Sequence, residues 1–313
     1  MALNDVSSPA QGAYVTLADL IALRFPARQL SLGRQSRALS HLAGPNKTNF
    51  RGRGIDFEEV RSYQPGDDIR TIDWRVTART GQAHTKMFRE ERERPVLVVI
   101  DQRNSMFFGS RHCFKSVLAA QLGALIAWSA LKDNDRVGGL VFGDAGHQDI
   151  RPRRSRATVL SLLSSIVEHN SALPHADTNT PNDFTATLTN LRRIARPGSS
   201  LFLISDFRGA WQETAREQLF ELGKHTEITA IACSDPLEAQ LPREGSYAVT
   251  NGVDRSELDT GDGALRKRFA ELQAERQNII ADDFLKLGIP LLRAETGSVP
   301  LNLLSRYYGE QRR

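Results

Sequence analysis

From Pro95 onward the chain alternates short apolar runs with longer amphipathic segments, and that rhythm leaves few folds open. The runs VLVVI (96–100), RVGGLVFG (136–143), SLFLIS (200–205), EITAIAC (227–233) and PLLRA (290–294) have strand length. They lack the polar alternation of a half-exposed strand, so both of their faces should be covered. Between them lie segments with helical apolar spacing, at about 111–131, 155–169, 183–195, 211–223 and 264–287, with a last one at 299–310. Strands alternating with helices in this way predict an α/β fold: a doubly wound, mainly parallel sheet with helices on both faces. HQDIRPR (147–153) suits an added edge strand, and Tyr247 to Leu258 a separate hairpin.

The first third of the chain reads differently. Residues 1–46 form a basic lead with a short helix, TLADLIALRF, capped by Thr16. Arg24, Arg28, Arg34 and Arg37 make the lead a solvated face and linker, or a docking element for an acidic partner or membrane surface. Residues 47–94 form a small β-containing subregion, and residues 95–313 the α/β domain. From Arg51 to Arg94 there are nine arginines and one lysine against nine acids. A segment that neutralises itself so closely suits a network of Arg–carboxylate pairs better than a phosphate-binding patch.

Composition narrows the function classes. A net charge of +4 on 41 basic and 37 acidic residues does not single out nucleic acid as a partner. Cys113 and Cys233 stand far apart in apolar surroundings, as small buried residues do in a reducing compartment. The opening MALNDVSSPAQGAY has no secretory pattern. VLAAQLGALIAWSAL (117–131) is shorter than the roughly 20 residues of a membrane span. The expectation is therefore a cytoplasmic protein, or one held peripherally at a membrane by a partner.

In a doubly wound sheet, function gathers beyond the carboxyl ends of the strands. Two predicted strands end in aspartate, VLVVID with Asp101 and LFLISD with Asp206, and Ser105 lies four residues past Asp101. This arrangement resembles the von Willebrand factor A-type domain, whose metal-ion-dependent adhesion site begins Asp-x-Ser-x-Ser and is completed by a threonine and an aspartate from two later loops. Asp101 and Ser105 match the aspartate and second serine, and Asp206 the last aspartate. Arg103 replaces the first serine, and Asn182 falls where the threonine is expected, with Thr180 and Thr185 nearby. An arginine has five donors and no acceptor, so it cannot ligate a cation. Two readings follow. Arg103 folds onto Asp101 and Asp206 as a built-in cation, or it points outward and a weak Mg²⁺ site survives on Asp101, Ser105 and Asp206.

The segment GRGIDFEEVRSYQPGDDIRTIDWRVTARTG, followed by REERERPVLVVID, resembles the signature of the bacterial domain-of-unknown-function 58 family, and SDPLEAQLP (234–242) is similar to a later family segment. The signature residues here are Gly54, Asp67, Asp68, Arg70, Asp73, Trp74 and Arg79, and Trp74 is expected to pack in a core. The resemblance implies a partner of the MoxR type of AAA+ ATPase, acting as an adaptor that helps a client protein mature. The expected docking site is the crevice around Asp101, Arg103, Ser105, Asn182 and Asp206, where Arg103 could take a partner's carboxylate directly through two bonds. A rival reading is a metal-dependent hydrolase using Asp101 and Asp206. Against it, the chain has no phosphate-binding Gly-x-x-x-x-Gly-Lys loop, no Gly-x-Ser-x-Gly elbow and no His-Glu-x-x-His. A third reading is a basic-surface binder of nucleic acid or membrane, through the lead, RPRRSR (151–156) and LRRIAR (191–196).

Overall fold

A computed structural model describes residues 10–33, 42, 56–64, 67, 69, 72–89, 95–173, 184–208, 213–250 and 255–309. In chain order the described elements begin with α1 (Leu17–Ala22), β1 (Asp56–Ser62), α2 (Trp74–Thr80), β2 (His84–Arg89), β3 (Pro95–Asp101), α3 (Lys115–Lys132), β4 (Arg136–Gly143) and β5 (Gly146–Arg153). They continue with α4 (Arg156–Ala172), α5 (Phe184–Ile194), β6 (Ser200–Ser205), α6 (Glu213–Gly223), β7 (Glu227–Ser234) and α7 (Pro236–Ala239). The chain then forms β8 (Ser246–Thr250), β9 (Arg255–Asp259), α8 (Gly263–Lys286), β10 (Leu291–Glu295) and α9 (Pro300–Tyr308). Two units result: Phe50–Arg94, and the rest of the chain.

The larger unit is built on a six-stranded sheet in the order β10-β7-β6-β3-β4-β5. Only β5 runs antiparallel, as the edge partner of β4. The apolar runs are short and continuous because each strand is buried on both faces. Along β3, Val96, Val98 and Ile100 face a core formed with α3 and α4, while Leu97 and Val99 face one formed with α5, α6 and α8. A side chain on Gly123 of α3 would collide with Ile100, so this glycine sets how closely the helix lies on the central strand. α3 holds the apolar 117–131 stretch and is buried almost along its length. No helix among the described residues is long and apolar enough to cross a membrane.

Residues 10–33, expected to form a basic lead, are built into this unit. Thr16 and Asp19 close a capping box on α1, and Leu20, Ala27 and Leu30 are buried against α3 and α4. Trp128 donates its indole N–H to the Leu20 carbonyl at 2.9 Å, and the Ser129 hydroxyl donates to Leu30 at 3.1 Å. Arg24 and Arg28 stay exposed, whereas Arg34 and Arg37 lie outside the described residues. The apolar face of the lead, more than its charge, decides its place.

The Phe50–Arg94 unit pairs β1 antiparallel to β2. Between them lies α2, a helix that the sequence reading left out of its β-containing subregion. Asp73 caps it by accepting from the Arg75 and Val76 amides, and Gly81 ends it at φ 74°. The expected core packing of Trp74 is not found: the residue is 67% exposed. On a helix of only seven residues in a small unit, little apolar surface is available to cover it.

Candidate functional site

The order of the strands reverses at β3. The chain passes from β3 to β4 on one side and later returns to β6 on the other, so the crevice lies beyond the carboxyl ends of β3 and β6. Asp101 ends β3 and Asp206 follows β6, and both carboxylates reach this crevice.

Arg103 folds back onto Asp101. Its Nη2 donates to Asp101 Oδ2 at 2.6 Å, its Nε to Oδ1 at 3.0 Å, and its backbone amide to Oδ1 at 2.9 Å. The Ser205 hydroxyl donates to Oδ2 at 2.6 Å, which completes the shell of Asp101. The guanidinium lies 5.6 Å from the ring centres of both Phe142 and Phe184, and 3.9 Å from Asp206. Burial works against its charge, but Asp101, then Asp206 and Asp144, hold its pKa above the ordinary guanidinium value. With its side chain 8% exposed and two donors on Asp101, Arg103 has little surface left for a partner.

Asp206 has a cation of its own. Lys115, at the first turn of α3, is fully buried and donates to Asp206 Oδ2 at 2.7 Å and to Glu238 Oε1 at 2.6 Å. Glu238 Oε1 also meets Arg208 at 3.1 Å. Asp206 Oδ1 accepts from the Arg208 amide at 2.9 Å and from the Ser105 hydroxyl at 3.3 Å. Burial alone would raise the Asp206 pKa, but the Lys115 ammonium and then Arg103 outweigh it and hold the carboxyl below its ordinary value of 3.8. Three carboxylates (Asp101, Asp206, Glu238) thus alternate with three cations (Arg103, Lys115, Arg208), and the formal charges cancel.

The loops around this chain of charges are pinned. Asp235 caps α7 and accepts from the Ser110 hydroxyl and from Thr296, each at 2.6 Å. The cap lets Glu238 reach back with Oε2 to the Asp235 amide while Oε1 faces Lys115. Gln102 donates to the Ser116 carbonyl and accepts from Asn170, which ties the β3 tip to α3 and α4. Both cysteines are buried thiols. Burial, followed by the charge of Asp235, pushes Cys113 up to about 12, and burial raises Cys233 as well, so neither is a ready nucleophile.

Of the sequence-selected residues, Asp101, Arg103, Ser105 and Asp206 come together. Asn182 and Thr180 lie outside the described residues, and Thr185 places its hydroxyl 3.4 Å from that of Thr214. Gly54, Asp68 and Arg70 also lie outside. In the smaller unit Asp67 accepts from the Gln64 amide and pairs with Arg61 at 2.7 Å, contacts that lower its pKa. Asp73 is a helix cap and Arg79 is exposed. Sequence reasoning missed Lys115, Glu238 and Arg208. Lys115 looked like a charge flanking an apolar helix. Its one available signal was its place at the start of a run with no solvent-facing stripe.

Comparison with known proteins places the chain. The family model described as "Protein of unknown function DUF58" matches residues 59–279. The chain belongs to the DUF58 family. This DUF58 protein is 30% identical over 291 residues to the uncharacterized protein Rv1480 of Mycobacterium tuberculosis, an alignment covering 91% of this chain and 89% of that one. The uncharacterized protein Mb1516 of Mycobacterium bovis matches to the same extent. Among solved structures, an aerotolerance-related membrane protein from Bacteroides fragilis aligns with a TM-score of 0.44 at 18% identity, over 68% of this chain and 98% of that one. The conserved hypothetical protein BatB from Bacteroides thetaiotaomicron aligns with a TM-score of 0.35, also at 18% identity, over 62% and 98%.

Proposed function

We propose that this DUF58 protein is a non-enzymatic interaction adaptor whose α/β unit is von Willebrand factor A-like. It docks a partner at the carboxyl ends of β3, β6 and β7 without a bridging metal ion. The observation that carries the reading is the alternating chain of acids and bases. Where an adhesion site would hold Mg²⁺ on Asp101, Ser105 and Asp206, Arg103 and Lys115 already supply the positive charge. A divalent cation there would have to displace two buried cations from their carboxylates.

The same contacts argue against the hydrolase alternative. A metal-dependent hydrolase needs Asp101 and Asp206 free to ligate or to take a proton, and both are held in ion pairs. The basic-surface alternative finds its described arginines in three stretches: Arg24 and Arg28 in the lead, Arg151, Arg153, Arg154 and Arg156 from β5 to the start of α4, and Arg192, Arg193 and Arg196 at and just past the end of α5. Membership of the DUF58 family, and the MoxR-type ATPases that the resemblance implies, make an AAA+ ATPase the expected partner and its client a maturing protein.

The test is capture of partners by the tagged full chain from native lysate, run in parallel with magnesium and with a chelator. Recovery of the same AAA+ ATPase in both arms is expected. Recovery only with magnesium, abolished in the chain's own Asp101→Ala variant, would put a metal in the crevice. Absence of an ATPase in both arms would defeat the adaptor reading.

A further inference from the structure

Beside the neutralised crevice lies a cavity of about 110 Å³, formed by the ends of β6, β7 and β10 and by one face of α8. Helix α8 turns Gln273, Arg276, Gln277 and Ile280 toward it, a spacing of three, four and seven residues that lies on a single helical face. Arg208 and Arg293 add two more guanidinium groups, and Asp206 and Glu238 add two carboxylates. Ala232, Cys233 and Leu291 line an apolar wall.

The cations of this cavity are not equally engaged. Arg208 meets Glu238 at 3.1 Å, and Arg293 reaches the Gln277 side-chain oxygen at 3.4 Å. Arg276 makes no hydrogen bond or ion pair with any described residue, although it is half-buried. Burial, followed by repulsion from Arg208, lowers its pKa, against a smaller attraction from Asp206 and Glu238. A half-buried guanidinium with five donors and no hydrogen-bond acceptor among the described residues is poised to receive one.

We propose that this cavity binds a carboxylate on a short aliphatic stem, received by Arg276 with Arg208 beside it. The lining favours a monoanion. Arg208 is already paired with Glu238, Arg293 lies against Gln277, and the Asp206 and Glu238 carboxylates in the wall would repel a phosphate dianion more strongly than a single carboxylate. The apolar wall and Ile280 suit a few methylenes, as in a glutamate side chain. This deepens the docking proposal and rests on it for the source of the carboxylate, a partner's acidic side chain in place of a free short-chain acid.

The experiment titrates N-acetylglutamate N-methylamide, its neutral glutamine counterpart and inorganic phosphate into the full chain, followed by the arginine Nε–H resonances in NMR. The glutamate compound should shift the Arg276 signal saturably, the glutamine compound should not, and phosphate should bind more weakly. Arg276→Gln should weaken binding at least tenfold with an unchanged thermal midpoint, and Arg276→Lys should fall between. Equal binding of the neutral compound, tighter binding of phosphate, or full binding by Arg276→Gln would overturn the assignment. Repeating the ATPase capture with Arg276→Gln separates the sources. Lost capture assigns the carboxylate to the partner. Undiminished capture overturns the partner as source and leaves a free acid. Should the probe fail while the ATPase is still captured, the cavity assignment falls and the docking proposal stands.

Discussion

Two neighbouring regions at the carboxyl edge of one sheet use their charges in opposite ways. Beyond β3 and β6, Arg103 and Lys115 are spent inside the protein, each on a buried carboxylate. Beyond β7 and β10, Arg276 makes no hydrogen bond or ion pair with a described residue. The first region is a self-contained electrostatic core, where removing one member strands its partner. The second tolerates substitution in the folded state and should report it in binding. Buried ion pairs are weak evidence for net stability, yet breaking one by deleting a single partner is costly.

The largest effect expected is from Lys115→Met, which leaves Asp206 and Glu238 without the ammonium between them. It should destabilise the protein by about 3–5 kcal/mol in urea unfolding. Adding Asp206→Asn should return part of that loss, and simple additivity of the two changes would deny the coupling. Arg103→Ser comes next, at about 3 kcal/mol, since Ser205 and a backbone amide still serve Asp101. This variant restores the missing serine, so magnesium should bind it in calorimetry and raise its melting temperature, as a ligand of the folded state does. Micromolar magnesium binding by the parent chain would remove the contrast between the two regions.

A smaller, graded effect is expected on acidification. The Asp206 pKa is held below 3.8 in the folded protein, so its contribution is complete above that value. As pH falls below about 4 the unfolded chain takes up the proton first, and stability declines until the folded carboxyl titrates too. A urea midpoint that is flat below pH 4, or that rises there, would contradict the pairing with Lys115. Arg276→Gln removes no hydrogen bond or ion pair with a described residue and should change stability by no more than about 0.5 kcal/mol. Trp74→Ala, at an exposed position in the other unit, should likewise stay within about 0.5 kcal/mol.

Most of the α/β unit was legible in the sequence because its strands and helices declare themselves locally. VLVVI and SLFLIS read as doubly covered strands, and their aspartate ends marked Asp101 and Asp206. Ser155 and Thr16 were visible caps, and both cap the helices expected of them. Arg103 could be singled out because it stands in a short motif where a serine was expected. Helix α2 was missed although Asp73 and Gly81 bracket it, because a dense run of charges hid the cap and the stop.

What the sequence by itself determined is the set of local preferences: strand against helix, the place of each turn, and which strands carry an acid at their carboxyl end. Only the tertiary structure decided which charges meet. Lys115 is 91 residues from Asp206 and 123 from Glu238, and nothing in its own surroundings names either. Burial and proximity are properties of the packed sheet, and they turn a flanking lysine into a buried counter-ion. They likewise leave Arg276, one arginine among several on a charged helix, as the one in that cavity with no acceptor among the described residues. Periodicity is written along the chain, whereas ion pairing depends on distances that exist only once the strands stand side by side.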